Sequence, residues 1–266
     1  MFDIDLITDP NEKPLDRMIV DGGYCGIFRK ICVVGDSLSS GEFEGTKEDG
    51  TKSYHDFIED YSWGKYLARM CGSEAYVFSR GGMTAMEYCE SFAEKNGFWD
   101  KEKACQCYII ALGVNDLFNR KMPIGSVSDI CLEDYRKNAP TFAGYYAQII
   151  QRYKEIQPDA KFFFVSTPRD TDDEIRARLG DELAELLHRL AEFFGNSYVI
   201  DLHKYAPEYK GELRKAIYMG GHLSPVGYIL TAKMIGSYID YLIRHNPADF
   251  RQVGFIGTPF KNTVCD

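Results

Sequence analysis

Residues 31–41 read ICVVGDSLSSG, an apolar β-branched run that stops at Gly35, Asp36 and Ser37. One interpretation is a plain strand-to-helix turn, in which Gly35 bends the chain and Asp36 or Ser37 caps the next helix. The other is a nucleophilic serine at the carboxyl end of a strand, where open α/β sheets bind their ligands. Taken alone, the stretch favours the plain turn, so the rest of the sequence has to decide.

Four further apolar runs of strand length follow along the chain, at residues 75–78, 107–112, 162–165 and 198–200. Each run is continuous rather than alternating, which is typical of strands buried on both faces of a parallel sheet. Amphipathic or apolar helical patterns lie between and after them, at residues 141–156, 181–194 and 225–244. Strands that alternate with helices predict a doubly wound α/β fold, whose right-handed crossovers bring the strand ends to one edge.

Composition and charge narrow the class of protein. The 266 residues are 45% hydrophobic and 27% charged, as in a globular domain. We expect a single domain over residues 1–266, with a lead-in at 1–30 and a tail at 247–266. The net charge of −9 and the lack of a basic stripe argue against a nucleic-acid partner.

The amino terminus and the cysteines indicate the compartment. The first 16 residues lack the basic and apolar segments of a signal peptide, and no run is long enough to span a membrane. The eight cysteines include no CxxC pair and no zinc-type spacing, and several lie in apolar runs. Free, mostly buried thiols in a cytoplasmic protein are the expectation.

Residues able to do chemistry follow the predicted strands. The segment SRGGMTA (79–85) carries Gly81 and Gly82, ALGVNDLF (111–118) carries Asn115, and GGHLSPVGY (220–228) places His222 before the last helix. Ser224 is the predicted N-cap of that helix. A serine, a glycine turn, an asparagine amide and a histidine can together attack a carbonyl and stabilise the resulting oxyanion.

In this order, GDSLSSG, SRGGMTA, GVND and HLSPVGY resemble the four sequence blocks of the SGNH (GDSL) hydrolase superfamily, across roughly residues 31–244. The resemblance implies a flavodoxin-like three-layer α/β/α sandwich around a parallel sheet of about five strands. It implies Ser37 as the nucleophile and His222 as the base. The implied oxyanion hole combines the N–H of Ser37 with Gly82 and Asn115, and Thr84 is the alternative to Gly82.

One position departs from the family pattern. The family has an aspartate three residues before its histidine, and this chain has Met219 there. We expect a backbone carbonyl of the loop 218–221 to orient His222, with a carboxylate as the competing source, from Asp170, Asp201 or Glu208. His203 is a weaker second candidate for the base, Asp36 is interpreted as a turn residue, and His55, His188 and His245 need no role.

These observations predict a serine esterase or acylhydrolase that cleaves small acyl esters, with acetylated carbohydrate as one substrate class, through an acyl-enzyme and without metal or cofactor. The alternative is a catalytically weak or inactive ligand-binding protein of the same fold. Nucleotide binding is disfavoured, because neither GxxxxGK[ST] nor GxGxxG occurs. The oligomeric state stays open.

Overall fold

The computed structural model describes residues 7–169 and 173–263. All five apolar runs form strands, which are β1 (Lys30–Gly35), β4 (Glu74–Ser79), β5 (Cys107–Ala111), β6 (Lys161–Val165) and β7 (Ser197–Ile200). They make one parallel sheet in the order β4-β1-β5-β6-β7. Counting these strands alone along the chain, the order is 2-1-3-4-5, which is that of flavodoxin-like folds, so the predicted fold class is confirmed.

Both faces of the sheet are buried, which explains the continuous apolar runs. In β1 the side chains of Cys32 and Val34 belong to one hydrophobic cluster, whereas Ile31 and Val33 belong to the other. Successive residues of a strand point to opposite faces, so a strand covered on both sides is apolar at consecutive positions.

Helices form the two outer layers. The cluster on one face takes side chains from α4 (Ala85–Glu87), α6 (Phe142–Ile156) and α7 (Glu174–Phe194), and the cluster on the other takes them from α3 (Trp63–Cys71) and α10 (Pro225–His245). Ser224 accepts a hydrogen bond from Gly227 N, as predicted for the N-cap of α10. The shorter helices are α1 (Ser37–Ser40), α2 (Ile58–Tyr61), α5 (Ala93–Lys95), α8 (Leu202–Tyr205), α9 (Gly211–Ile217) and α11 (Pro247–Phe250).

Two antiparallel hairpins stand outside the central sheet, and sequence reasoning did not predict either. The larger pairs β2 (Glu42–Thr46) with β3 (Lys52–Asp56), and the smaller pairs β8 (Tyr218–Met219) with β9 (His222–Leu223). The larger hairpin is rich in charged residues and mostly exposed on β3, so it lacks the apolar pattern that marks a core strand.

Both ends of the described chain pack on the α10 side of the sheet. Ile19 and Phe28 near the start, and Phe250, Val253 and Ile256 near the end, are all buried. The seven described cysteines are free and five of them are buried, as expected. Among the described residues, none of the helices has the length and apolar character that crossing a membrane requires.

Candidate active site

Ser37 is the first residue of α1, directly beyond the carboxyl end of β1. Asp36 is the N-cap, and its Oδ1 accepts from Leu38 N at 3.0 Å. At Gly35 a Cβ atom would lie only 2.3 Å from Ser39 Oγ, so the tight turn excludes a larger residue. The predicted turn and a cleft-lining serine therefore coexist, with Asp36 forming the cap and the half-buried Ser37 lying at the edge of the sheet.

The glycine pair after β4 faces Ser37 across a cleft. Gly82 adopts a left-handed φ of +71°, and a Cβ there would meet no atom within 4 Å, so this backbone borders open space. Thr84 instead is buried and caps α4, accepting from Glu87 N at 3.1 Å. By position, Gly82 is better placed than Thr84 to offer an N–H to a ligand.

Asn115 lies in a turn of π-helix, Val114–Asn119, after β5. Its Nδ2 donates to Met83 O at 3.1 Å and to Asp36 Oδ2 at 3.3 Å, and its Oδ1 accepts from Asn119 Nδ2 at 2.8 Å. The amide is thus held with its nitrogen toward the Asp36–Ser37 turn. The longer bond, to Asp36, is the one that a developing oxyanion could replace.

One cleft of about 550 Å³ is lined by Ser37, Gly82, Asn115 and His222 together. This volume lies within the range of about 300–1,000 Å³ that small-molecule sites occupy. The fold thus assembles in one place the four residues that lie far apart in the sequence. The other side chains at its wall include Glu42, Tyr54, Asp56, Arg80, Asn119 and Arg176.

His222 bonds to a carboxylate that sequence reasoning missed. Its Nε2 lies 2.8 Å from Oε1 of Glu42, the first residue of β2, and both side chains are largely buried. Glu42 also explains Gly81, because a Cβ there would lie 2.1 Å from Glu42 Oε2. The Nδ1 atom of His222 is buried without a hydrogen-bond partner in the described chain, and Glu44 Oε2 is 3.8 Å away.

The expectation of an orienting backbone carbonyl was wrong. No carbonyl bonds His222 within residues 7–169 and 173–263, and the exposed Met219 leaves the usual acid position empty of a carboxylate. Among the competing sources, Asp201 bonds His188 and Ser166, and Glu208 pairs with Lys210. The remaining one, Asp170, lies outside the described residues.

Glu42 and Glu44 could not be predicted as partners of His222, because it is the β2–β3 hairpin that brings them to the imidazole. Their sequence signal is their i, i+2 spacing, which puts both side chains on one face of a strand.

The hairpin also holds the histidine loop. Glu44 accepts from Gly221 N at 3.1 Å and pairs with Lys52 at 2.5 Å. At Gly220, where φ is +67°, a Cβ would lie 2.9 Å from the Glu44 carboxylate. The loop before His222 therefore packs directly against the Glu44 side chain.

The pKa values of two groups at the cleft, His222 and Asp36, are shifted from their ordinary values. The hydrogen bond to Glu42 is the largest cause that raises the pKa of His222 above its ordinary value, although burial opposes it. Burial raises the pKa of Asp36 to about 7, against the hydrogen bond from Leu38 N. His222 thus gains its proton more readily than a solvated histidine does.

His203, the second candidate, lies away from the cleft. Its Nε2 is 2.9 Å from Asp181 Oδ1, and its Nδ1 is 3.2 Å from Thr167 O. With both nitrogens engaged and no cleft serine beside it, His203 has the environment of a structural residue.

The comparisons with known proteins agree with this fold. Residues 33–230 match the model of the GDSL-like lipase/acylhydrolase family. No curated protein gives a significant match.

Similar solved structures include two carbohydrate esterases from Clostridium thermocellum. A family 3 enzyme is 16% identical with a TM-score of 0.51, covering 81% of this chain and 97% of its own. A family two enzyme in complex with cellohexaose is 20% identical with a TM-score of 0.54, covering 90% of this chain and 66% of its own.

A carbohydrate esterase family 2 enzyme with a carbohydrate binding domain, from Corynascus thermopiles (Myceliophthora fergusii), is 14% identical with a TM-score of 0.55, covering 79% of this chain and 65% of its own. At these identities the likeness concerns the fold. The family model spans most of the chain, and this protein belongs to the GDSL-like lipase/acylhydrolase family, whose chemistry is the hydrolysis of carboxylic esters.

Proposed function

We propose that this protein is a serine esterase that cleaves small acyl esters through an acyl-enzyme on Ser37. The observation that carries the proposal is the shared cleft, which is lined by Ser37, Gly82, Asn115 and a largely buried, carboxylate-bonded His222. These are the parts of a nucleophile, an oxyanion hole and a base.

The histidine tautomer sets the direction of proton transfer. Because Glu42 accepts from Nε2, the neutral ring carries its proton there and its lone pair at Nδ1. In the proposed step Nδ1 comes within hydrogen-bond distance of Ser37 when substrate binds, and it takes the hydroxyl proton as Oγ attacks the ester carbonyl. The tetrahedral oxyanion receives hydrogen bonds from the N–H groups of Ser37 and Gly82 and from Asn115 Nδ2.

Collapse of the oxyanion breaks the ester C–O bond, and the departing alcohol takes the proton from Nδ1. Water then attacks the acyl-Ser37 carbonyl, gives its proton to Nδ1, and the acid leaves as Ser37 regains a proton. Glu42 stabilises the imidazolium at each proton transfer, and Glu44, 3.8 Å from Nδ1, adds to this stabilisation. Glu42 is thus the proposed replacement for the acid missing at Met219.

The alcohol part of the substrate is proposed to be polar, with a carbohydrate as the candidate class. Arg80, Asn119, Arg176 and Tyr54 at the wall of the cleft offer hydrogen-bond donors and an aromatic ring that suit a sugar. The carbohydrate esterases among the structures of similar fold support the same substrate class.

The second candidate is a ligand-binding protein with weak or no catalysis. One observation favours it: no hydrogen bond joins Ser37 Oγ to His222 among the described residues, and Nε2 is already engaged by Glu42. Catalytic hydrogen bonds are often long before substrate binds, so we rank the esterase first.

Labelling with a fluorophosphonate and hydrolysis of p-nitrophenyl acetate test the proposal. Ser37→Ala should abolish both, because no other group supplies the acyl acceptor. Ser128→Ala, a matched change at an exposed serine, should leave both at the wild-type level. If the wild-type protein is neither labelled nor active while it is folded, the ligand-binding candidate is supported instead.

A further inference from the structure

A second cavity at the same edge of the sheet, here named the apolar pocket, lies on the α3 and α10 side and measures about 80 Å³. We infer that the apolar pocket receives a short hydrocarbon acyl chain, so that the preferred substrate is an ester of a three- or four-carbon acid. This inference rests on the proposed esterase function. The lining side chains include Leu38, Trp63, Val114, Val165, Leu202 and Ile235.

The apolar pocket adjoins the nucleophile. Leu38 and Val114 line both this pocket and the cleft that holds Ser37. Leu38 directly follows Ser37 in α1, and Val114 directly precedes Asn115. An acyl group whose carbonyl carbon sits on Ser37 Oγ, with its oxygen toward Asn115, therefore starts beside these two side chains.

The walls of the apolar pocket favour hydrocarbon over a polar group, because most of the lining is apolar and the Asp36, Ser39 and Ser166 side chains at its wall are already bonded elsewhere. Ser39 Oγ accepts from Trp63 Nε1 at 3.2 Å, and Ser166 Oγ donates to Asp201 at 3.1 Å. Asp36 accepts from Leu38 N and from Asn115 Nδ2. A polar substituent beside these three groups would have to be desolvated without gaining a new partner from them, which is unfavourable.

The size of the apolar pocket limits the chain. A dry apolar cavity of about 150 Å³ holds the six carbons of benzene, so about half that volume holds about three carbons. With the carbonyl carbon outside, at Ser37, this corresponds to a butyryl group. A hexanoyl chain would need the walls to move.

The test is the ratio of kcat/KM values for p-nitrophenyl acetate, propionate, butyrate and hexanoate. Burial of each methylene group should raise kcat/KM about fourfold, so butyrate should exceed acetate about 15-fold. Hexanoate should fall below butyrate. A ratio of butyrate to acetate near one, in an enzyme that hydrolyses acetate, would overturn the inference.

A variant with a larger side chain in the apolar pocket tests whether this pocket causes the preference for butyrate over acetate. Ala111 lies at the end of β5 and lines the pocket, and Ala111→Leu adds three carbons to it. We expect the butyrate-to-acetate ratio to drop toward one. Ala248→Leu, the same change at an exposed position of α11, should keep the wild-type ratio. A retained preference in folded Ala111→Leu protein would contradict the assignment.

An enlarging variant covers the case in which Ala111→Leu does not fold. Tyr209 lines the pocket and is buried, and Tyr209→Leu should raise the hexanoate-to-butyrate ratio by enlarging the space. An unchanged ratio would count against the pocket. Failure of the proposed function looks different, because then no ester of any length is cleaved and Ser37 is not labelled.

Discussion

Two histidines with mostly buried side chains pair with carboxylates near the carboxyl ends of the strands, and they differ at one nitrogen. His222 bonds Glu42 at 2.8 Å and His203 bonds Asp181 at 2.9 Å, and both imidazoles are mostly buried. His203 Nδ1 also lies within hydrogen-bond distance of a carbonyl oxygen, whereas His222 Nδ1 has no partner in the described chain. A carboxylate partner alone is therefore no sign of catalysis. A ring nitrogen that has no hydrogen-bond partner is the better sign of a catalytic histidine.

The surroundings of the two rings explain the difference. His203 packs against α7 so closely that a Cβ at Gly180 would lie 2.6 Å from its Cε1 atom. His222 instead borders a cleft, and its ring forms an edge-to-face pair with Tyr54, with ring centroids 5.6 Å apart. A buried polar atom without a partner destabilises the folded state by about 1–3 kcal/mol. The unpaired Nδ1 of His222 in the described chain is therefore better explained by a catalytic role than by a structural one.

Replacing each histidine by alanine gives the largest expected contrast. His222→Ala should lower kcat on the order of 10⁴-fold or more, because removal of the base from a serine hydrolase disables the whole unit. His203→Ala should keep most activity and lose roughly 1–3 kcal/mol of unfolding free energy, since it leaves a carbonyl unpaired. Ester hydrolysis and urea unfolding of both variants measure this. If His203→Ala is the less active of the two variants, the assignment of His222 as the base is contradicted.

Glu42→Gln should give the next largest effect. A carboxylate that fixes the histidine tautomer is worth up to about 10⁴-fold in kcat, so a large loss is expected. Glu44→Gln, two residues away on the same strand, is the matched control and should lose less, because Glu44 is 3.8 Å from the ring.

The pH profile separates this role from a structural one. His222 must be neutral to accept a proton, and its pKa is raised, so wild-type kcat/KM should fall as the pH drops through a value above 6.5. Since the Glu42 hydrogen bond is the main cause, Glu42→Gln should move this limb to lower pH. An unmoved limb, or a loss of kcat under tenfold, would remove Glu42 from the proposed mechanism.

Asn115→Ala should have the smallest of these effects. Removing one oxyanion donor costs roughly 10²–10³ in kcat, with little change in KM because the bond tightens as charge develops. Asn119→Ala is the comparison variant. Asn119 bonds the Asn115 amide at 2.8 Å and is not a proposed oxyanion donor, so its loss of kcat should be smaller. Steady-state kinetics on one ester measure these effects. A change confined to the KM of Asn115→Ala would reject Asn115 as an oxyanion donor.

The central sheet was predictable because its strands are covered on both faces and leave continuous apolar runs such as residues 31–34. The convergence of Ser37, Gly82 and Asn115 followed from topology, since parallel strands end at one edge. The partner of His222 was not predictable in this way. It depends on a charged hairpin whose pairing leaves little hydrophobic signal, and on the direction of two glutamate side chains.

The position of Glu42 changes what a sequence rule can detect. The proposed acid lies five residues after the nucleophile, on a segment separate from the one that carries the base. A motif rule that requires the acid three positions before the histidine would class this chain as defective, although a carboxylate is in hydrogen-bond contact with the imidazole. Because side chains alternate along a strand, inserting one residue between Gly41 and Glu42 would turn Glu42 and Glu44 away together. Among related sequences, the spacing between the serine and these glutamates is therefore the quantity to compare, and length variation should collect in the turn at residues 47–51, where it leaves both carboxylates in place.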